Sequence, residues 1–200
     1  MKIIEPELTL ETSRVLLKPI DEGDFDPFFQ LAQDEEMWKY FTLNLADKGD
    51  LRKWMDAAFS DKEAGTRRPF TIIDKATQQI AGSSSMGNIA YRDLRLEIGW
   101  SWLGRNFIGT DVNFHAKYSM MRFAFEQMNF ERVEFKTDFL NERAKQGLRK
   151  VGGKEEGVLR SHMTMWNDRR RDSIYFSVIK NEWLQLKETI FKDVEGYGFR

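Results

Sequence analysis

Along the chain, alternating stretches give way repeatedly to stretches with apolar residues three and four apart. Arg14 to Ile20 is a short β pattern that ends at Pro19-Ile20. A helix is expected from Asp24, a good N-cap, to about Gln33, with Phe28, Leu31 and Ala32 on its apolar face. Leu51, Trp54, Met55, Ala58 and Phe59 predict a second helix over about 48–60. Phe70 to Ile73 and Ile80 to Asn88 read as two antiparallel strands, and Leu96 to Leu103 as a third. Gly104 to Asp111 is a loop, and Val112 to Asn129 a long helix that is apolar except for a stripe of His115, Ser119, Arg122, Glu126 and Asn129.

Arg132 to Asp138 alternates cleanly as a strand. Asn141 opens a helix that runs to about Val151 and stops at Gly152-Gly153. Gly157 to Met165 and Ser173 to Ile179 form a hairpin around the turn Trp166 to Asp172. Residues 181–200 hold a short helix with Trp183, Leu186 and Ile190, followed by a loose end. The order β, α, α, β, β, β, α, β, α, β, β predicts one α/β domain over residues 1–200. Its sheet is mixed and mostly antiparallel, of about seven strands, with about four helices on its faces and 181–200 as a helical extension.

Composition narrows the function more than the fold. The 200 residues are 41% hydrophobic and 32% charged, which suits a globular domain. Net charge of −1 argues against a nucleic-acid binder, which usually carries a basic excess. With no cysteine there is no disulfide, thiolate nucleophile or cysteine metal site; His115 and His162 are isolated, so no metal is expected. The start has no apolar core of signal-peptide length, and no run approaches the roughly 20 apolar residues that span a bilayer. A soluble cytoplasmic protein, monomer or homodimer, is expected.

Chemistry concentrates between Leu96 and Asn113. A loop that enters a helix presents unpaired N–H groups at the positive end of the helix dipole, which suits a phosphate-bearing ligand. Glu97 alternates with Ile98 on the strand before that loop, so one of the two faces any cleft there. It either takes a proton or pairs with a neighbour such as Arg95. Asp34-Glu35-Glu36, with Trp38, Tyr40 and Phe41, is acidic and then aromatic. Arg169-Arg170-Arg171 reads as a solvated charged turn.

Several segments, in order, resemble the GNAT superfamily of acyl-CoA-dependent N-acetyltransferases. They are Leu10 to Pro19, Leu96-Glu97-Ile98-Gly99-Trp100, Asn141-Glu142-Arg143-Ala144, Glu155 to Arg160 and Arg171-Asp172-Ser173. The resemblance is to the branch of ribosomal-protein N-terminal acetyltransferases and spermidine acetyltransferase, and it covers about Leu10 to Trp183. It implies acetyl-CoA as co-substrate and a primary amine as acceptor: a protein N-terminus, a polyamine or another small amine. It also implies that Ser101, Trp102 and Leu103 pair with the cofactor arm as an added strand would. The loop Ile108, Gly109, Thr110, Asp111, Val112 and Asn113 would then hold the pyrophosphate, and Asn141 would lie near the arm.

By the same resemblance Glu97 is the candidate base, usually acting through water, with a backbone N–H near Trp102 or Leu103 facing the oxyanion. Glu36, Trp38, Tyr40 and Phe41 would line the acceptor site, whose acidic part would favour a cationic acceptor. Three positions depart from the pattern. Asp111 and Asn113 replace small loop residues, and Ala144 stands where relatives often carry serine, which leaves the acid unassigned, with Tyr118 one option. A carboxylate about 4 Å from a phosphate costs about 1 kcal/mol in water, and more where water is excluded. Alternatively Asp111 is an N-cap whose side chain turns away. The three departures keep a second expectation open, a non-catalytic acyl-CoA- or amine-binding module on the same fold.

Overall fold

The computed structural model describes residues 3–194 and 196–199. Among the described residues nine strands form one sheet. They are β1 (Leu10–Thr12), β2 (Val15–Pro19), β3 (Arg67–Asp74), β4 (Gln79–Ala90), β5 (Arg95–Leu103), β6 (Arg132–Asp138), β7 (Lys154–Thr164), β8 (Arg170–Ile179) and β9 (Gly196–Phe199). Their spatial order is β7-β8-β6-β5-β4-β3-β2-β1-β9. Every pairing is antiparallel except β5 with β6.

Among the described residues five α-helices cover the sheet: α1 (Phe25–Leu31), α2 (Lys48–Glu63), α3 (Val112–Arg122), α4 (Glu142–Lys150) and α5 (Lys180–Thr189). One core, with Leu96, Ile98, Val133 and Phe135 from the sheet, packs under α3, α4 and α5. The second, with Phe28, Trp38, Leu51, Trp54 and Trp102, packs under α1 and α2.

The sheet has two strands more than expected. β1 is three residues long and β9 four, too short to show alternation. The segment expected as a helical extension is therefore α5 followed by a strand paired with β1. The long helix expected over 112–129 changes geometry at Phe123, where one wider π-type turn, Phe123–Gln127, buries Phe123, Ala124 and Phe125 together. Asp24 does not cap α1. Its buried carboxylate accepts Thr71 Oγ1 at 2.5 Å, Lys18 Nζ at 2.9 Å and the Asp21 N–H at 3.0 Å, while Asp21 caps the preceding 3₁₀ turn.

The feature that creates the site is a parting of strands. β5 and β6 pair only at Arg95–Arg132, Leu96–Val133 and Glu97–Glu134. Beyond Glu97 a β-bulge bends β5 away: Trp100 and Ser101 oppose the single residue Ser84, and Trp100 takes φ +51°. The extra residue also reverses which face each side chain occupies. Leu96 and Ile98 enter the core under α3, whereas Trp102 enters the core under α1 and α2.

Candidate active site

The parted strands open a cleft of about 820 Å³. Glu97, Ser101, Trp102, Leu103, Ile108, Gly109, Thr110, Asp111, Asn113 and Asn141 all line it, as do Tyr40 and Phe41. Val112 does not: it is fully buried in the core under α3. Trp38 is also a core residue, 0% exposed, packed on Phe41 and Trp102 with its indole N–H donating to the Ala32 carbonyl at 2.8 Å. Glu36 is exposed and outside the lining. Asp34 is held by Arg105, so the acidic stretch contributes no carboxylate to the cleft.

Glu97 sits at the apex where the strands part and is 3% exposed. Its Oε2 accepts Asn88 Nδ2 at 2.8 Å and Lys136 Nζ at 2.9 Å. One oxygen fixes the carboxylate, and the other, Oε1, makes no hydrogen bond among the described residues. The basic partner is thus Lys136 rather than Arg95, which pairs with Glu134. Parallel pairing of β5 and β6 brings Lys136 within reach of Glu97.

Along the other wall, β5 beyond Glu97 presents an edge no longer paired to β6, ready to accept an added strand. The loop after it turns at Gly109, whose φ of +82° favours glycine. Asp111 is exposed and makes no side-chain cap to α3; of the first-turn N–H groups, that of Val112 donates to Thr110 Oγ1 at 3.4 Å. Asn141 caps α4, accepting the Ala144 N–H at 3.1 Å. Arg143 and Lys150 add cations to the lining from α4.

Two charged lining residues, Lys117 and Lys136, were not singled out from the sequence, and Arg171, expected in a solvated turn, is instead buried in the lining. Lys117 is a lone charge on the apolar part of α3, which was the available signal. It is 6% exposed, donates to Asn113 Oδ1 at 2.7 Å, and burial lowers its pKa to about 8. Among the described residues no carboxylate pairs with it. Tyr118 packs on Trp183 and Phe191 outside the cleft, so it is not placed to donate a proton there, and Ala144 in the lining has none to give. His115 bonds Thr12 Oγ1 and His162 bonds Ser173 Oγ, each at 3.0 Å. Among the described residues no cluster of histidines and acids could hold a metal, and no helix is long and apolar enough to cross a membrane.

A bulged strand parting from a parallel neighbour, a loop that enters α3, and a buried carboxylate at the apex define a class of acyl-transfer clefts. Residues 14–154 match the acetyltransferase (GNAT) domain, and the chain belongs to that family of acyl-CoA-dependent N-acetyltransferases. It is 28% identical over 176 residues to the uncharacterized N-acetyltransferase p20 of Bacillus licheniformis, across 88% of this chain and 98% of that one. YdaF of Bacillus subtilis (strain 168), named provisionally as a ribosomal N-acetyltransferase, is 24% identical over 169 residues, 77% of this chain and 91% of that one. The fold is shared with Mycobacterium smegmatis RimJ, solved in complex with CoA-disulfide. There the TM-score is 0.77 at 17% identity, over 95% of this chain and 97% of that one.

Proposed function

We propose that this protein moves the acetyl group of acetyl-CoA directly to a primary amine, with Glu97 as general base. The observation that carries the proposal is the buried Glu97 carboxylate in the cleft lining, oriented through Oε2 while Oε1 accepts no hydrogen bond among the described residues. The unpaired edge of Ser101, Trp102 and Leu103 suits a pantetheine arm bound as an added strand. Loop donors from Ile108 to Asn113, with Arg143, Lys150 and Lys117, suit its phosphates. The RimJ structure holds a CoA disulfide on the same fold, which supports this assignment of the cleft.

In the reaction Glu97 Oε1 draws a proton from the ammonium, directly or through one water, and the neutral amine attacks the thioester carbonyl. A backbone N–H at Trp102 or Leu103 meets the charge that develops on the carbonyl oxygen. The new N–C bond forms, the nitrogen gives up its second proton to solvent, and the C–S bond breaks as the thiolate leaves to take a proton from solvent. The acceptor is a protein N-terminus or a small amine, met between Tyr40 and Phe41 on one side and the β7–β8 hairpin on the other. Thiol release from acetyl-CoA, followed across N-terminal peptides, polyamines and amino acids, tests the proposal. Release that depends on one of these amines is expected; silence across all of them contradicts it.

A further inference from the structure

We infer that Arg171 anchors a carboxylate of the acceptor, so that the preferred acceptor is an amine that also carries a negative charge. This rests on the acetyl-transfer reading of the cleft and names the class of its second substrate.

Three arginines in a row lead from the turn into β8, and the fold treats them differently. Arg169 is paired with Asp138. Arg170 donates to Ser161 and Thr164 across the hairpin. Arg171 is 7% exposed, lines the cleft, and its Nε is buried without a hydrogen-bond partner. Among the described residues no carboxylate lies within ion-pairing distance of it. The charged and titratable groups that interact with it electrostatically are Asp138, Glu97, Tyr175, Arg169 and His162. Both carboxylates are already engaged, Asp138 by Arg169 and the Leu140 N–H, Glu97 by Lys136 and Asn88. A guanidinium nitrogen buried without a partner is costly, and a ligand anion beside it offsets that cost.

Register places this group on the acceptor side. Arg171, Ser173 and Tyr175 alternate along β8, and Tyr175 lies directly opposite Lys136, the partner of Glu97. The hairpin is tied over the cleft by Trp166, whose indole N–H donates to the Trp38 carbonyl at 3.0 Å. On this face Glu97 and Lys136 balance each other, and Arg171 leaves one cation in excess. A polyamine, with its second ammonium, meets repulsion there. An amine bearing a carboxylate meets Glu97 Oε1 at its ammonium and the planar fork of Arg171 at its carboxylate. That carboxylate belongs either to a free amino acid or to an acidic residue next to a peptide N-terminus.

The experiment follows thiol release from acetyl-CoA by the full chain, with paired acceptors. One pair is free aspartate and its diamide. The other is a short C-terminally amidated peptide with aspartate in second place and its asparagine counterpart. Spermidine is the cationic control. The carboxylate member of one pair is expected to be favoured by ~10–100-fold in kcat/KM, the effect of one charged hydrogen-bonded contact, and that pair names the source. Arg171→Gln removes the preference chiefly through KM, Arg171→Lys keeps part of it, and acetyl-CoA affinity stays unchanged in both. Equal use of the amides, a preference for spermidine, or a preference that survives in Arg171→Gln overturns the inference while leaving acetyl transfer intact. If Arg171→Gln fails to fold, the natural protein's pair ratio and Arg171→Lys decide. Acetyl-CoA binding with no acceptor acetylated overturns the proposed function, and this inference with it.

Discussion

Glu97→Gln is expected to lower kcat by ~10²–10⁴-fold, the usual contribution of a positioned general base, with acetyl-CoA affinity little changed. The amide preserves the size of the side chain and can still accept from Asn88, which now bonds Oε2 at 2.8 Å. What it cannot do is take the ammonium's proton at the position of Oε1. Lys136 loses its charge partner, but its side chain is 19% exposed, so water offsets part of that loss. Steady-state thiol release together with a thermal melt separates the two effects. A variant that melts like the natural protein and turns over within a few-fold of it would remove Glu97 from the chemistry.

The largest structural effect is expected at Gly82. On β4 it lies opposite Leu103, with φ +152°. A Cβ there would sit 2.8 Å from Leu103 Cα and closer still to the Trp102 carbonyl oxygen. Both neighbours are backbone, so a rotamer change cannot relieve the contact. Gly82→Ala therefore combines backbone strain with overpacking and is expected to cost about 2–5 kcal/mol, lowering Tm by roughly 5–20 °C. The shift falls on Trp102 and Leu103, the edge assigned to the cofactor arm, so acetyl-CoA affinity should drop with stability. An unchanged melt and unchanged affinity would contradict the close approach.

The extent of β6 was legible because Arg132 to Asp138 alternates without interruption and one face is buried. The α4 cap was legible because Asn141 is a residue type whose side chain serves a free helix N–H. The cleft wall from Ser101 to Asn113 was legible for a similar reason, since strand, loop and helix are contiguous there. What escaped depends on pairs distant in sequence. Lys136 meets Glu97 only because β5 and β6 run parallel, which no local pattern announces. Trp38 looked like an acceptor contact beside acidic residues, yet the packing of Phe41 and Trp102 around it makes it core. Arg171 was hidden among neighbours of the same type, and only the partners of Arg169 and Arg170 set it apart.

Asp111 bears on the central claim, that the cleft is an acetyl-CoA site. It is exposed and its side chain occupies none of the α3 N–H groups, so it should weaken rather than prevent binding. Calorimetric titration of acetyl-CoA into the natural protein and into Asp111→Gly measures this directly. The account predicts one site per chain in both, with the glycine variant tighter by no more than ~5-fold, the equivalent of about 1 kcal/mol for one solvated charge pair. Binding confined to the glycine variant, or absent from both, would contradict it.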